Sequence, residues 1–166
     1  MRDFNISKLK IFLPWVIVLI LLITNFFTYS NLNNKISLME NKNTITSVEA
    51  ALESSGNAIS IYEFSRYQYQ EGAIDTQAVS LTLRNLISLH DKLIGMLNKN
   101  PKHGEVTDLM ELTEDLLRAR REGFSNLRSG VDLNSNNYNK VADQKFTEAE
   151  ELKEKVLEEL NKFYRQ

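Results

Sequence analysis

Val79-Ser-Leu-Thr-Leu-Arg-Asn-Leu-Ile-Ser-Leu-His-Asp-Lys-Leu-Ile-Gly-Met-Leu97 places apolar side chains at Val79, Leu83, Leu86, Ile87, Leu93, Ile94 and Leu97. Steps of three, four and seven residues are the period of an α-helix with one buried face. The same period recurs on both sides of this stretch. Before it come Ile45, Val48, Leu52, Ser55, Ile59, Tyr62, Arg66 and Tyr69. After it come Val106, Leu109, Met110, Leu116, Leu117, Phe124 and Leu127, and then Val141, Phe146, Ala149, Leu152, Val156, Leu160 and Phe163. No comparable alternation of period two occurs, so the expected class is all-α.

Turn chemistry separates the four stretches. Gly72-Ala-Ile-Asp75 interrupts the first, with Asp75 or Thr76 able to cap the second. Pro101 and Gly104 end the second; Gly130 and Asn134-Ser-Asn-Asn137 end the third and cap the fourth. Ser54-Ser55-Gly56-Asn57 weakens the first helix and is a candidate kink. Short connections make consecutive helices antiparallel neighbours, so residues 44–166 read as an up-down four-helix bundle. The mostly polar residues 31–43 read as a helical stalk leading into it.

No charged residue lies between Lys10 and Lys35, a gap of 24 positions. A membrane-crossing helix needs about 20 mainly apolar residues. Residues 11–30 are therefore expected to be an N-terminal transmembrane helix, embedded in the lipid bilayer. No Ala-x-Ala-like site follows, so the reading is an uncleaved anchor. Arg2, Lys8 and Lys10 precede the span, which by the positive-inside rule places residues 1–10 in the cytoplasm and the bundle outside. The expected localisation is the cell membrane, single-pass.

The 166 residues carry a net charge of −2, which gives no global case for nucleic acid. Cysteine is absent, excluding disulfides and thiolate metal sites. Abundant Asn, Lys and Ile suggest an AT-rich bacterial genome. The histidines, His90 and His103, lack partners at metal-ligand spacing, and no nucleophile-elbow, phosphate-loop or dinucleotide motif occurs. The expectation is a protein that is not an enzyme, with no metal and no cofactor.

The informative exceptions are cations on apolar faces. Helical projection puts Arg66, His90, Arg120 and Lys145 each on the core-facing arc of its helix. Counting from the expected helix ends puts Arg66, Lys145 and Arg120 in one layer, with His90 one layer deeper. Buried charge needs anions. Two readings follow: an internal ion network, with Glu63 and Glu148 as local partners, or a ligand-binding pocket for a small anion.

The layout of short N-terminus, membrane helix and up-down bundle resembles the sensor ectodomain of four-helix-bundle chemoreceptors. That family detects small ligands through arginines near the distal end of the bundle, and the resemblance implies Arg66 and Arg120 as the positional analogues. Its fourth helix runs on into a second membrane span. This sequence ends at Tyr164-Arg165-Gln166, so a sensor of this kind needs a membrane partner to carry its output. The leading expectation is a non-catalytic, membrane-anchored interaction module that binds an envelope protein, with Ile61, Phe64 and Leu81 as contact points. An accessory sensor is the alternative. A homodimer is also open, because the first helix is heptad-like.

Overall fold

The computed structural model describes residues 6–100 and 104–165; for residues 6–23, 26, 33, 34 and 105 it describes the backbone alone. The elements are α1 (Ile6–Gln70), α2 (Thr76–Leu97), a 3-10 turn (Gly104–Val106), α3 (Thr107–Leu133) and α4 (Asn136–Tyr164). No strand occurs among the described residues. Residues up to Glu40 and residues from Asn41 onward form two separate compact units.

Among the described residues, no helix is long and apolar enough to cross a membrane. This overturns the expected transmembrane helix at 11–30, and with it the single-pass membrane localisation and the outside placement of the bundle. The side chains of residues 11–23, and residues 1–5 of the expected cytoplasmic N-terminus, lie outside the described residues. The physical reason is visible in the sequence. The unbroken apolar run from Ile11 to Ile23 is thirteen residues long, or about 20 Å of helix against about 30 Å of hydrocarbon. Reaching 20 residues meant counting Thr24, Asn25, Thr28 and Ser30. The helix passes through these without a break, and the Thr28 hydroxyl donates to the carbonyl of Thr24 at 2.8 Å.

The second unit is a four-helix arrangement. Cross-helix pairs establish its direction: Ser55 meets His90, Arg121 meets Asp91, Arg120 meets Glu150, and Tyr164 meets Glu49. Taken together with Ser80–Asp132 and Lys145–Glu122, these pairs fit only helices that alternate up and down. The loops follow local chemistry. Asp75 caps α2, its Oδ1 accepting from the backbone N–H of Ala78 at 2.8 Å. The expected stop at Pro101 lies outside the described residues. Gly130 does not end α3. The helix runs three residues further, to Leu133, and Asn134 closes it in the left-handed region at φ 50°. Gly130 serves instead as a point of close approach, where an added Cβ would sit 2.7 Å from the Asn139 side chain.

The buried stripe of α1 also differs from the expected one. The buried residues are Thr44, Val48, Ala51, Ser55, Ala58 and Ser65, with Tyr62 half-buried. This is an unbroken four-three alternation of mostly small side chains. The larger Ile45, Leu52 and Ile59 are half-buried at its flank. Small residues occupy the centre because large side chains from the other helices, Phe124 and Arg120 above all, project into it. Ser54 to Asn57 do not interrupt α1.

The core has two apolar clusters. One contains Val48, Ala51, Leu93, Leu97, Leu116, Leu117 and Val156; the other contains Ala58, Val79, Leu83, Phe124, Leu127 and Ala142. In the second, Phe124 is fully enclosed. It meets Tyr62 of α1, His90 of α2 and Phe146 of α4 at ring-centroid distances of 5.9, 5.3 and 5.2 Å. Those are ordinary tilted and edge-to-face aromatic contacts. Gly123 leaves room for the Phe146 ring: a Cβ there would fall 2.8 Å from the ring's Cζ. Gly123→Ala is therefore expected to lower stability by about 1–2 kcal/mol, despite the better helix propensity of alanine. Gly95→Ala, where a Cβ meets nothing within 4 Å, is expected to raise it by about 0.5–1 kcal/mol. Urea denaturation of the two variants checks both signs.

Candidate functional site

Between the apolar clusters lies one polar layer, to which every helix contributes. Ser55 stands fifteen residues from Gln70, His90 fourteen from Thr76, Arg120 thirteen from Leu133 and Glu150 fourteen from Asn136. Since each helix end named lies at the same end of the bundle, the four side chains share a height about 20 Å from it.

The hydrogen bonds of the layer run in one direction. His90 Nδ1 lies 2.8 Å from the carbonyl oxygen of Leu86, one turn back on α2. A carbonyl only accepts, so Nδ1 carries the proton and Nε2 is the acceptor of the neutral ring. The Ser55 hydroxyl therefore donates to His90 Nε2, at 2.8 Å. Its oxygen in turn accepts from Arg120 Nη1 at 3.0 Å. Arg120 Nη2 donates to Glu150 Oε1 at 2.9 Å, and Lys153 Nζ donates to the other oxygen of that carboxylate at 2.8 Å. Arg120 Nε has no hydrogen-bond partner. Ser55 and His90 are fully enclosed, and Arg120 is 2% exposed.

Electrostatics agree with the neutral tautomer. Burial, chiefly, pushes the His90 pKa below its ordinary value, opposed by the bond to the Leu86 carbonyl and reinforced by the Arg120 charge; Asp91 raises it and Arg121 lowers it. The Glu150 carboxyl is held below its ordinary value, first by the hydrogen bond from Lys153 and then, against some burial, by Arg120.

Of the four cationic residues singled out in the sequence, the structure brings two together, Arg120 and His90. Their shared height follows from α3 extending beyond Gly130, which moves Arg120 down to the level of His90. Arg66 is exposed, four residues from the end of α1 and beside, not within, the buried stripe that Tyr62 and Ser65 continue. Lys145 lies nearer the same end, half-buried, with its ammonium 2.9 Å from both Glu122 and Glu148. These two are corrections to the expected common layer. Glu148 is a partner, as expected, but of Lys145 alone. Glu150 was missed because it sits beside the apolar stripe of α4 and remains largely exposed. Ser55 was legible only as a member of the α1 stripe. A serine at a core position, level with a histidine and an arginine, is the signal that would have found it. Lys162 pairs with Glu159, three residues back on α4.

Outside the core, an open groove of about 530 Å³ runs between the start of α2 and the end of α3. Leu81, Arg84, Arg128 and Asp132 line it, and Asp132 accepts from Ser80 at 2.7 Å and faces Arg128 Nε at 3.4 Å. Among the described residues no cluster of His, Asp and Glu has metal-binding geometry. No protein-family model matches the chain, and neither a curated protein nor a solved structure does. The likeness to chemoreceptor ectodomains thus rests on layout alone.

Two outcomes follow from the layer. Removing the anion leaves Arg120 buried with a single neutral partner, so Glu150→Ala is expected to cost about 2–4 kcal/mol. Lys153→Ala, which removes an exposed partner of the same carboxylate, should cost less than about 1 kcal/mol. Chemical denaturation separates them. The second outcome concerns pH. With a folded pKa below the unfolded value of about 6.5, His90 takes up its proton more readily when unfolded. Stability is then full above about pH 6.5 and declines as pH falls toward the folded pKa. Glu150 acts separately, below its ordinary range near 4.5. Melting temperatures from pH 8 to pH 5 should fall for the wild type and fall less for His90→Gln.

Proposed function

We propose that the chain is a non-catalytic helical interaction module, whose bundle presents an outer face of α1 to a partner protein. The observation that carries this reading is the surface of α1 opposite its buried stripe. Ile61, Phe64 and Tyr67 are each more than half exposed there. Large apolar side chains grouped away from the core are what a partner's surface covers. Leu81, also more than half exposed, adds an apolar point in the groove between α2 and α3.

The polar layer supports the absence of catalysis. A serine bonded to a histidine invites comparison with a nucleophile and its base. Here the serine and the ring are fully enclosed, and the far nitrogen of the imidazole is bound to a backbone carbonyl. A substrate has no approach to either atom. The cation of the layer is likewise taken, by Ser55 and Glu150. The layer reads as an internal network that sets how the helices meet, with the recognition chemistry on the surface.

A photo-crosslinking side chain at Tyr67, beside Phe64 on this face and introduced in the source organism, is expected to capture one defined protein. The same group at Glu154, on the exposed side of α4, should not. Phe64→Lys should abolish the capture while leaving the melting temperature within about 2 °C, since the change is on the surface. Capture that is equal at both sites, or unaffected by Phe64→Lys, rejects the reading.

A further inference from the structure

The part of α1 before Asn41 carries its own apolar stripe. Tyr29, Leu32, Ile36 and Met39 are 67%, 56%, 45% and 70% exposed. Their spacing is three, four, three, which is the a–d–a–d seam of a coiled coil, with Tyr29 and Ile36 at a and Leu32 and Met39 at d. We propose that this segment forms a parallel two-stranded coiled coil with a second copy of the chain.

Three observations select that occupant. The first is side-chain shape at the centre of the stripe, where Leu32 at d is followed by the β-branched Ile36 at a, the combination that favours two parallel strands. The second is charge. In this register Lys35 and Lys42 fall at g, and Glu40 falls at e. A parallel, in-register pair places each g residue against the e residue five positions further along the other strand, so Lys35 meets the partner copy's Glu40. An antiparallel pair would set g against g, lysine against lysine. A sequence that complements itself in only one orientation points to a second copy of itself. The third is preorganisation. The segment lies within α1, already helical from Ile6 to Gln70, so association does not bear the cost of helix nucleation. The proposal uses different residues from the outer face of the bundle and stands or falls separately from it.

The chain has no cysteine, which makes disulfide trapping clean. In the full-length protein under mild oxidation, Leu32→Cys and Met39→Cys are expected to form covalent dimers readily, because d positions face each other across a parallel seam. Ser37→Cys, at the outward b position, should form at least tenfold less. Sedimentation should show a concentration-dependent dimer, weakened more than about tenfold by Ile36→Lys, a loss of about 1.4 kcal/mol or more. Lys35→Glu should weaken it about fivefold, and adding Glu40→Lys in the same chain should restore it. Circular dichroism confirms that each variant remains helical. A monomer at all concentrations, equal crosslinking at Leu32 and Ser37, or no restoration by the double exchange overturns the proposal.

Discussion

Arg120 is a permanent cation enclosed among four helices, and the bundle is arranged around meeting it. A guanidinium does not escape burial by losing its proton. Taking such a group out of water costs several kcal/mol unless hydrogen bonds and a counter-charge replace the water. The replacements come from other helices: the Ser55 hydroxyl from α1 and the Glu150 carboxylate from α4. His90 from α2 completes the chain by accepting the hydroxyl proton that Ser55 must place somewhere. One demand is thereby distributed over all four helices.

That demand does more for specificity than for bulk stability. The apolar clusters on either side supply the driving force, but leucine and alanine contacts are tolerant of register. A helix that slips by one residue still buries apolar area, yet it moves about 1.5 Å and turns by about 100°. Such a slip would carry Ser55 or His90 out of hydrogen-bonding reach and leave the arginine unmet. The aromatic group around Phe124 acts beside the layer in the same sense, with one ring from each of the other three helices, His90 of the layer among them, in contact with Phe124. Gly123 sits next to Phe124 because the Phe146 ring from α4 needs the space.

The enclosure of this network moves the functional interest to the surface. Reactive and charged groups in the middle of the bundle are spent on one another, while α1 leaves large apolar side chains uncovered. It does so on the outer face of the bundle and, separately, at Tyr29, Leu32, Ile36 and Met39. A polar layer that fixes the register of the bundle's helices also fixes the geometry of the bundle's own outer face.

Hydrophobic periodicity determined the all-helical class of the described residues and that Arg120 and His90 point inward, and the short connections determined that consecutive helices run antiparallel. These are local properties, written in spacing and in cap residues such as Asp75. The apolar run before Thr24 is too short to span a bilayer without the polar residues that follow it. Tertiary structure decided the rest. It extended α3 beyond Gly130, which brought Arg120 level with His90. It chose the small residues of α1 over the neighbouring isoleucines for the centre of the core, and it recruited Glu150 from outside the α4 stripe. None of these follows from one helix read alone, because what a buried guanidinium needs is supplied by atoms on other helices, and only their packing sets the distance between them.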